Sequence, residues 1–401
     1  ISYAKIEKSN ANYGGAIYLG YTAGLKIDHS EISGNYAFNG GGIYNKGTLE
    51  VQNSLISENT TQYSGGVIYN RGWLSIENSS ICNNISQMHG GSIYNENSLY
   101  LENVSLIGNY AYYHGGAIYI NYSESERIVN TLIAGNSSKN GGGIYINGTS
   151  NCDIDIINST IYSNYSTGEA YGGGLYNEEA TINLINTIIA GNSASSYYDI
   201  YNTGEINSLG NNLIGILDED TYISKKGDII GTISNPVDPY LNADYSLSDS
   251  SIAINLGIAD TTDLSIPSFD LLGNPRIYNG EFSRIDIGAF ELQKDVETSI
   301  LPVPVIELST NILDFGEVQE NHFGEQKLII ENTGFEILLI DSIISTSPYF
   351  FAIENNFEVE PSSSKELTMY FYPQVKDEFF EFITIYNNDM EKSIIVKGVT
   401  E

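Results

Sequence analysis

Several residue types are scarce in this chain. Its 401 residues include two cysteines, one tryptophan, four histidines and nine prolines, and 17 lysines and arginines stand against 50 aspartates and glutamates. Cys82 and Cys152 fall three repeats apart, which sets aside a disulfide framework. With a formal net charge of −33, nucleic-acid backbones and anionic membranes are poor partners. The acids are interleaved with Ile, Leu, Val and Phe throughout, the pattern of a solvated acidic surface rather than a disordered tail. No run of 18 apolar residues exists, which argues against a membrane-spanning helix. Ile1 falls inside a repeat, so we expect a fragment with further coils before it.

What the chain has in abundance is one phrase said seven times. "GGAIYLG" returns as "GGGIYNKG", "GGVIYNRG", "GGSIYNEN", "GGAIYINY", "GGGIYING" and "GGGLYNEE". The motif tyrosines are Tyr18, Tyr44, Tyr69, Tyr94, Tyr119, Tyr145 and Tyr176, at intervals of 26, 25, 25, 25, 26 and 31, and a weaker copy places Tyr201 another 25 on. A second motif, Ile-x-x-Asn, runs in phase and ends at Asn35, Asn59, Asn84, Asn109, Asn136, Asn164 and Asn192. A third is the alternating pair Leu25/Ile27, Leu49/Val51, Leu74/Ile76, Leu99/Leu101.

Each repeat therefore holds three short strand patterns separated by Gly, Asn and Ser. Apolar spacing nowhere follows the helical 3,4 rhythm, so helical hairpin repeats are excluded. The pattern suits an all-β fold, a right-handed parallel β-helix of about 25 residues per coil. Stacking coils about 4.8 Å apart pairs each strand with its copy and places like residues on one another. Ile17, Ile43, Ile68, Ile93, Ile118, Ile144 and Leu175 should form one inward stack. Paired glycines before them permit a corner without side chains. Asn53, Asn78, Asn103, Asn130, Asn158 and Asn186 should form a corner ladder, with His29 in that place in the first coil.

These in-phase motifs resemble the GGAI and FxxN repeats of bacterial polymorphic outer-membrane proteins and related surface β-helices, with Ile in place of Phe. After about Ser208 the period fades. "SLGNNLIG", "DIIGTISNPVDPYL", "SSIAINLG", "FDLLGNPRI" and "RIDIGAFE" resemble the bacterial choice-of-anchor Q domain. Asp238-Pro239, Asn255, Asp270, Arg276 and Asp286 to Glu291 occupy its characteristic places, and Ser251 to Asn255 stands where that family commonly has Ser-Pro-Ala-Ile-Asp. The resemblance implies a C-terminal cap over the open end of the β-helix, where unpaired strand edges would invite aggregation. Arg276, with Asp270 and Asp286 as partners, reads as a buried ion pair.

Beyond "LPVPV" seven short strands can be drawn through 305–401. "DFGEV", "NTG", "FYP", "NND" and the late "KG" resemble choice-of-anchor D and Hydin-type Ig-like β-sandwich modules, which serve as spacers or binding modules. The expected organisation is β-helix over 1–207, capping region over 208–297, linker over 298–304 stiffened by Pro302 and Pro304, and Ig-like sandwich over 305–401.

Parallel β-helices also house polysaccharide lyases and glycoside hydrolases, so the site must decide. Asp153 and Asp155 share a face by alternation and would carry such an activity, yet coil counting sets Arg127 beside Asp155 and favours a salt bridge. His89 and His114 should stack in adjacent coils without a third ligand, so no metal site is expected. Glu77 and Glu102 stack beyond Gln52, the one place where weak Ca²⁺ binding would relieve repulsion. Lys46 and Arg71 precede Glu96 in another column and read as charge complementarity. No other cofactor is expected.

If the motif isoleucines point in, the tyrosines after them point out. Tyr44, Tyr69, Tyr94, Tyr119 and Tyr145 then form an aromatic column suited to glycans. The expected protein is a non-catalytic stalk or adhesin, secreted or on a bacterial surface. Its expected partner is a polysaccharide or cell-surface glycan, with an envelope anchor beyond the C-terminus. The alternative is a polysaccharide lyase or glycoside hydrolase on the β-helix.

Overall fold

The computed structural model describes residues 1–401 except 124, 150–151, 169–170, 218–221, 226, 259–265, 277–283, 294–303, 305, 311, 334–336, 362, 390–391 and 401. Most of the expected linker, with Pro302, lies outside the described residues. Two compact units result, Ile1–Ser299 and Ile300–Glu401.

The first unit is a parallel β-solenoid. One coil runs Thr48–Gln52, Leu55–Ser57, Thr60–Thr61 and Ile68–Asn70. Each segment pairs in parallel with its copy in the next coil, as in Ile68 with Ile93 and Leu74 with Leu99. The coil thus has four strand segments rather than the three expected. The extra one, after the "GN" of the second motif, is two to four residues long, too short to show an alternation of its own.

Packing follows the ladders. Ile43, Ile68, Ile93, Ile118, Ile144 and Leu175 are fully buried in one stack, joined by the alternating Leu and Ile of the first segment. Full burial of each such side chain contributes roughly 1.5–3 kcal/mol, which no single coil could collect alone. At the corner between the first two segments, His29, Asn53, Asn78, Asn103, Asn130, Asn158 and Asn186 all have φ between 46° and 55°. Asn tolerates this left-handed conformation better than most residues, which explains the corner's composition. The corner amides bond from coil to coil, Asn103 to Asn78 at 3.0 Å and Asn130 to Asn103 at 2.8 Å.

A second, interior ladder is made by the asparagines that end the Ile-x-x-Asn motif. Oδ1 of Asn59 accepts both the backbone N–H and Nδ2 of Asn35, at 3.0 and 2.9 Å, and the pattern repeats through Asn84, Asn109, Asn136 and Asn164 to Asn192. These side chains are almost wholly buried, so the amide supplies the hydrogen bonds that the turning backbone would otherwise lack.

Parallel pairing runs past residue 207, through Leu213–Ile214 and Tyr222–Ile223 to Ile229–Ile230. Tyr222, Leu217 and Ile230 lie on the core there. Part of the region expected to cap the solenoid packs against its flank. Ala253, Ile254, Ile287, Ala289 and Phe290 cover the outward Leu132, Ala134, Ile188, Ala190 and Leu213 of the second segment. The reason is legible in those outward positions: polar or charged in early coils (Glu31, Ser33, Ser57), they turn apolar in later ones and need a cover.

The second unit is an Ig-like sandwich. One sheet orders Ile306–Leu308, Gly324–Asn332, Ser363–Phe371 and Phe350–Ala352, and the other Ile312–Val318, Lys392–Thr400, Glu378–Asn387, Leu338–Ser345 and Phe357–Val359. That is nine strands among the described residues, against seven expected; Ile306–Leu308, Phe350–Ala352 and Phe357–Val359 are three residues each, too short to stand out in the sequence. Phe350 and Phe371 stack 4.4 Å apart at its centre, with Leu328, Met369 and Ile383 around them.

Candidate functional site

The Ile-Tyr-Asn strand turns Ile inward, Tyr outward and Asn inward, and parallel register lays each tyrosine on the next. Tyr18, Tyr44, Tyr69, Tyr94, Tyr119, Tyr145 and Tyr176 form one ring stack with centroids 4.3 to 5.6 Å apart and planes within 27°. Because the rings cover one another, Tyr44, Tyr119 and Tyr145 are buried, and Tyr69 and Tyr94 are half-buried. The column therefore presents ring edges and hydroxyls outward, while most ring faces are occupied.

Charged neighbours fix the hydroxyls. Tyr69 donates to Glu96 at 2.7 Å, and Glu96 also holds Arg71 Nε at 2.8 Å. Tyr145 donates to Glu178 at 2.9 Å. Burial, and then these carboxylates, raise the phenols of Tyr69 and Tyr145 well above the ordinary range. Lys46 sits 5.1 to 5.6 Å from the rings of Tyr18, Tyr21 and Tyr44, a cation–π arrangement. Lys46, Arg71 and Glu96 thus share one border of the column, as expected from their spacing.

His89 and His114 pair in register and stack at 5.1 Å. They are half-buried against Tyr119 and Tyr145, at 4.8 and 4.5 Å, rather than in the exposed row expected before the glycine corner. Burial lowers the pKa of both rings, with His114 brought down to about 4. Among the described residues no group of three or more His, Cys, Asp or Glu is placed to hold a metal ion.

Arg127 and Asp155 lie in register, with Nη1 3.2 Å from Oδ2. Asn183, one coil on, donates to Asp153 at 2.9 Å and to Asp155 at 3.0 Å. Both carboxylates are thereby tied into the sheet surface by a cation and a neutral amide, an arrangement suited to holding strands in register. Glu77 and Glu102 are in register as well. Gln52 donates to Glu77 at 3.0 Å, and the Tyr100 hydroxyl donates to Glu102. Like charges there are relieved by a separate donor on each carboxylate.

Three groups differ from the sequence reading or go beyond it. Glu126 is in register with Leu99 and Ile154, inside the apolar core, where it accepts from Asn95 Nδ2 at 3.1 Å and lies 3.8 Å from Cys152. Burial pushes its carboxyl up to about 7. Asn45, Asn70 and Asn95 form the amide ladder that leads to it. Arg276, as expected, is buried among acids, but Glu291 is its direct partner at 3.5 Å. Its expected partners Asp270 and Asp286 accept backbone N–H groups, from Leu272 and Asn274 in one case and Asn255 and Leu292 in the other. Arg276 also donates to Asn130 and to the carbonyl of Gly288, so the flank segment locks onto the corner ladder. The third group is a set of exposed aromatic side chains on and just after the third strand segment, including Tyr36, Phe38, Tyr63 and Tyr112.

A family described as HYDIN/CFA65/VesB-like, Ig-like domain matches residues 304–398. Among solved structures, the chain is similar to the ASH/PapD-like domain 7 of human CEP192, at 13% identity over 28% of this chain and 94% of that one, with a TM-score of 0.24. It is similar to a protein of unknown function from Porphyromonas gingivalis W83, at 22% identity over 30% of this chain and 59% of that one, with a TM-score of 0.23. It is also similar to the secreted serine protease VesC from Vibrio cholerae, at 9% identity over 30% and 28%, with a TM-score of 0.19. No curated protein matches the chain. The finding that carries weight is the match of residues 304–398 to an Ig-like domain of the Hydin type.

Proposed function

We propose that this chain is a non-catalytic extracellular stalk of adhesin type, in which a β-solenoid retains glycans along one of its faces and an Ig-like module spaces it from its attachment. The observation that carries the reading is the stack of uninterrupted residue columns along the solenoid: one chemistry repeated at every coil suits a polymer lying along the axis. Two faces offer such columns: the aromatic column from Tyr44 to Tyr145, with its hydroxyls directed by Glu96 and Glu178, and the exposed aromatic side chains Tyr36, Phe38, Tyr63 and Tyr112.

The resemblance of the repeats to polymorphic outer-membrane proteins, and of 208–297 to choice-of-anchor Q domains, supports secretion to a bacterial surface and an envelope anchor. A choice-of-anchor D resemblance of the Ig-like module is of the same kind. Among the described residues no helix is long and apolar enough to cross a membrane.

Affinity electrophoresis of the purified chain in polysaccharide gels, with release of unsaturated or reducing ends measured in parallel, tests it. Retention without cleavage is expected. Cleavage abolished by Asp155→Asn would replace the proposal with a polysaccharide lyase or glycoside hydrolase acting at Asp153 and Asp155.

A further inference from the structure

The third strand segment of each coil carries a surface unlike the rest of the molecule. Its parallel register sets Tyr36, Thr60, Ile85, Tyr110, Ser137 and Tyr165 in one outward row. Phe38, Tyr63, Tyr112 and Tyr113 lie beside that row and are exposed. Their rings meet at an angle, 41° for Phe38 with Tyr63 and 83° for Tyr112 with Tyr113. Each of these side chains keeps exposed ring surface for a ligand, in contrast to Tyr44, Tyr119 and Tyr145 in the parallel stack, which are buried.

The charge pattern is the second observation. Across residues 10–13, 36–39, 60–63, 85–88, 110–113, 137–140 and 165–167, Lys139 is the one charged side chain; the others are Tyr, Phe, Asn, Gln, Ser, Thr, Ala, Ile and Met. The first segment of the coils, by comparison, turns Lys26, Glu50, Glu77, Glu102, Arg127, Asp153 and Asp155 outward. On a chain of net charge −33, a face nearly free of charge is a specific feature. It leaves out the bases that a polyanion needs and the acids that a polycation needs. What remains is open aromatic faces with amide and hydroxyl groups between them, the chemistry that packs against the C–H faces of sugar rings and bonds their hydroxyls.

We infer that this face, rather than the motif-tyrosine column, binds an uncharged polysaccharide extended along the solenoid axis. The inference rests on the glycan-retaining reading above and assigns its face and ligand class. Coil spacing of about 4.8 Å sets the aromatic rings at whole coil steps along the axis, so a polymer lying along it meets ring after ring. Asn39, Gln62 and Gln87 add amide groups to the same face. Association gains from the rigidity of the scaffold, because the rings are ordered before the ligand arrives.

The test uses the full chain in affinity gels of hydroxyethylcellulose, xyloglucan and galactomannan, with polygalacturonate as the charged probe. Two variant sets separate the faces: Tyr36→Ala/Tyr63→Ala/Tyr112→Ala on the open face and Tyr69→Phe/Tyr94→Phe on the column, which keeps the ring stack and removes hydroxyls. Thermal melts confirm that both sets remain folded. Retention by at least one neutral polysaccharide, weakened at least tenfold in the first set and unchanged in the second, is expected. Weakening in the second set alone overturns the placement and leaves the glycan reading standing. Retention by polygalacturonate alone overturns the neutral class. Retention of the unmodified chain by none of the four overturns both the inference and the reading beneath it.

Discussion

Asn192 Nδ2 donates to Asp199 Oδ1 at 2.8 Å, and the backbone N–H of Asn192 donates to the same oxygen at 2.9 Å. The interior amide ladder runs in one direction, each asparagine donating to the next coil, so its last member needs an acceptor that makes no demand for a further one. A carboxylate meets that need. Asn212 likewise donates to Asp228 Oδ1 at 3.2 Å. The other oxygen of Asp199 accepts from the backbone N–H of Ile216 at 2.7 Å. Asp199→Asn would set an amide donor against that N–H inside the protein. We expect a loss of roughly 1–3 kcal/mol in chemical denaturation, the cost of one buried unsatisfied donor. An unchanged midpoint would show that the ladder's end is not an energetic element.

Glu126 gives the solenoid a pH dependence of known sign. Its carboxyl is raised from 4.5 to about 7 by burial. A raised acid pKa means that the folded state favours the protonated form. Its stabilising contribution is complete below about 4.5 and lost as pH rises through about 7. Over that window the effect is on the order of 3 kcal/mol at ~1.4 kcal/mol per unit. Glu126→Gln keeps an acceptor for Asn95 and removes the titration. The variant should match the natural chain near pH 4.5 and exceed it at pH 8. Parallel stability curves across that range would refute the assignment.

The solenoid was legible because its signal is repetition. Register makes a period of 25 visible in Tyr, Asn and Leu/Ile together, and the Ile stack, the Asn corner, and the Arg127–Asp155 and His89–His114 neighbours all follow from counting. Single-copy features were not legible. Glu126 occupies a Leu/Ile column once, and nothing in its local sequence separates it from an exposed acid. The course of residues 238–292 along the flank depends on outward positions such as Leu132 and Ile188 becoming apolar, a change that alternation inside a strand does not reveal. The motif tyrosines were rightly placed outside the core. Their mutual burial came from stacking across coils, which hides ring faces that the sequence alone leaves open.

Glycines of the two repeat motifs differ sharply in what they tolerate. A Cβ on Gly91 would lie 2.0 Å from the carbonyl oxygen of Gly116 in the next coil, so the backbones themselves must part. Gly34 has φ of +62°, yet a Cβ there meets nothing within 4 Å. Gly34→Ala should cost about 1 kcal/mol, the penalty of a left-handed L-residue. Gly91→Ala should prevent the coils from closing and yield protein that fails to give a cooperative melt. Equal effects of the two substitutions would mean that conformation, not contact between coils, sets the glycine requirement.

Arg276 joins two parts of the first unit. Its guanidinium reaches Asn130 in the corner ladder, the Gly288 carbonyl and Glu291, and it is almost wholly buried. Truncating one member of such a set leaves an uncompensated buried charge, with a cost of roughly 3–5 kcal/mol. Arg276→Met should therefore release residues 238–292 from the flank before the coils unfold, exposing Leu132, Ala134 and Ile188. Limited proteolysis would then cut within that segment while the residues before 207 stay protected. Lysine cannot span Asn130 and Glu291 together from a single ammonium, so Arg276→Lys should give the same fragments. Burial also raises Asp286 to about 6, so attachment of the segment weakens as pH rises through that value and is firmer at pH 5 than at pH 8. Cleavage patterns of Arg276→Met identical to those of the natural chain at both pH values would show that apolar contact alone holds the flank.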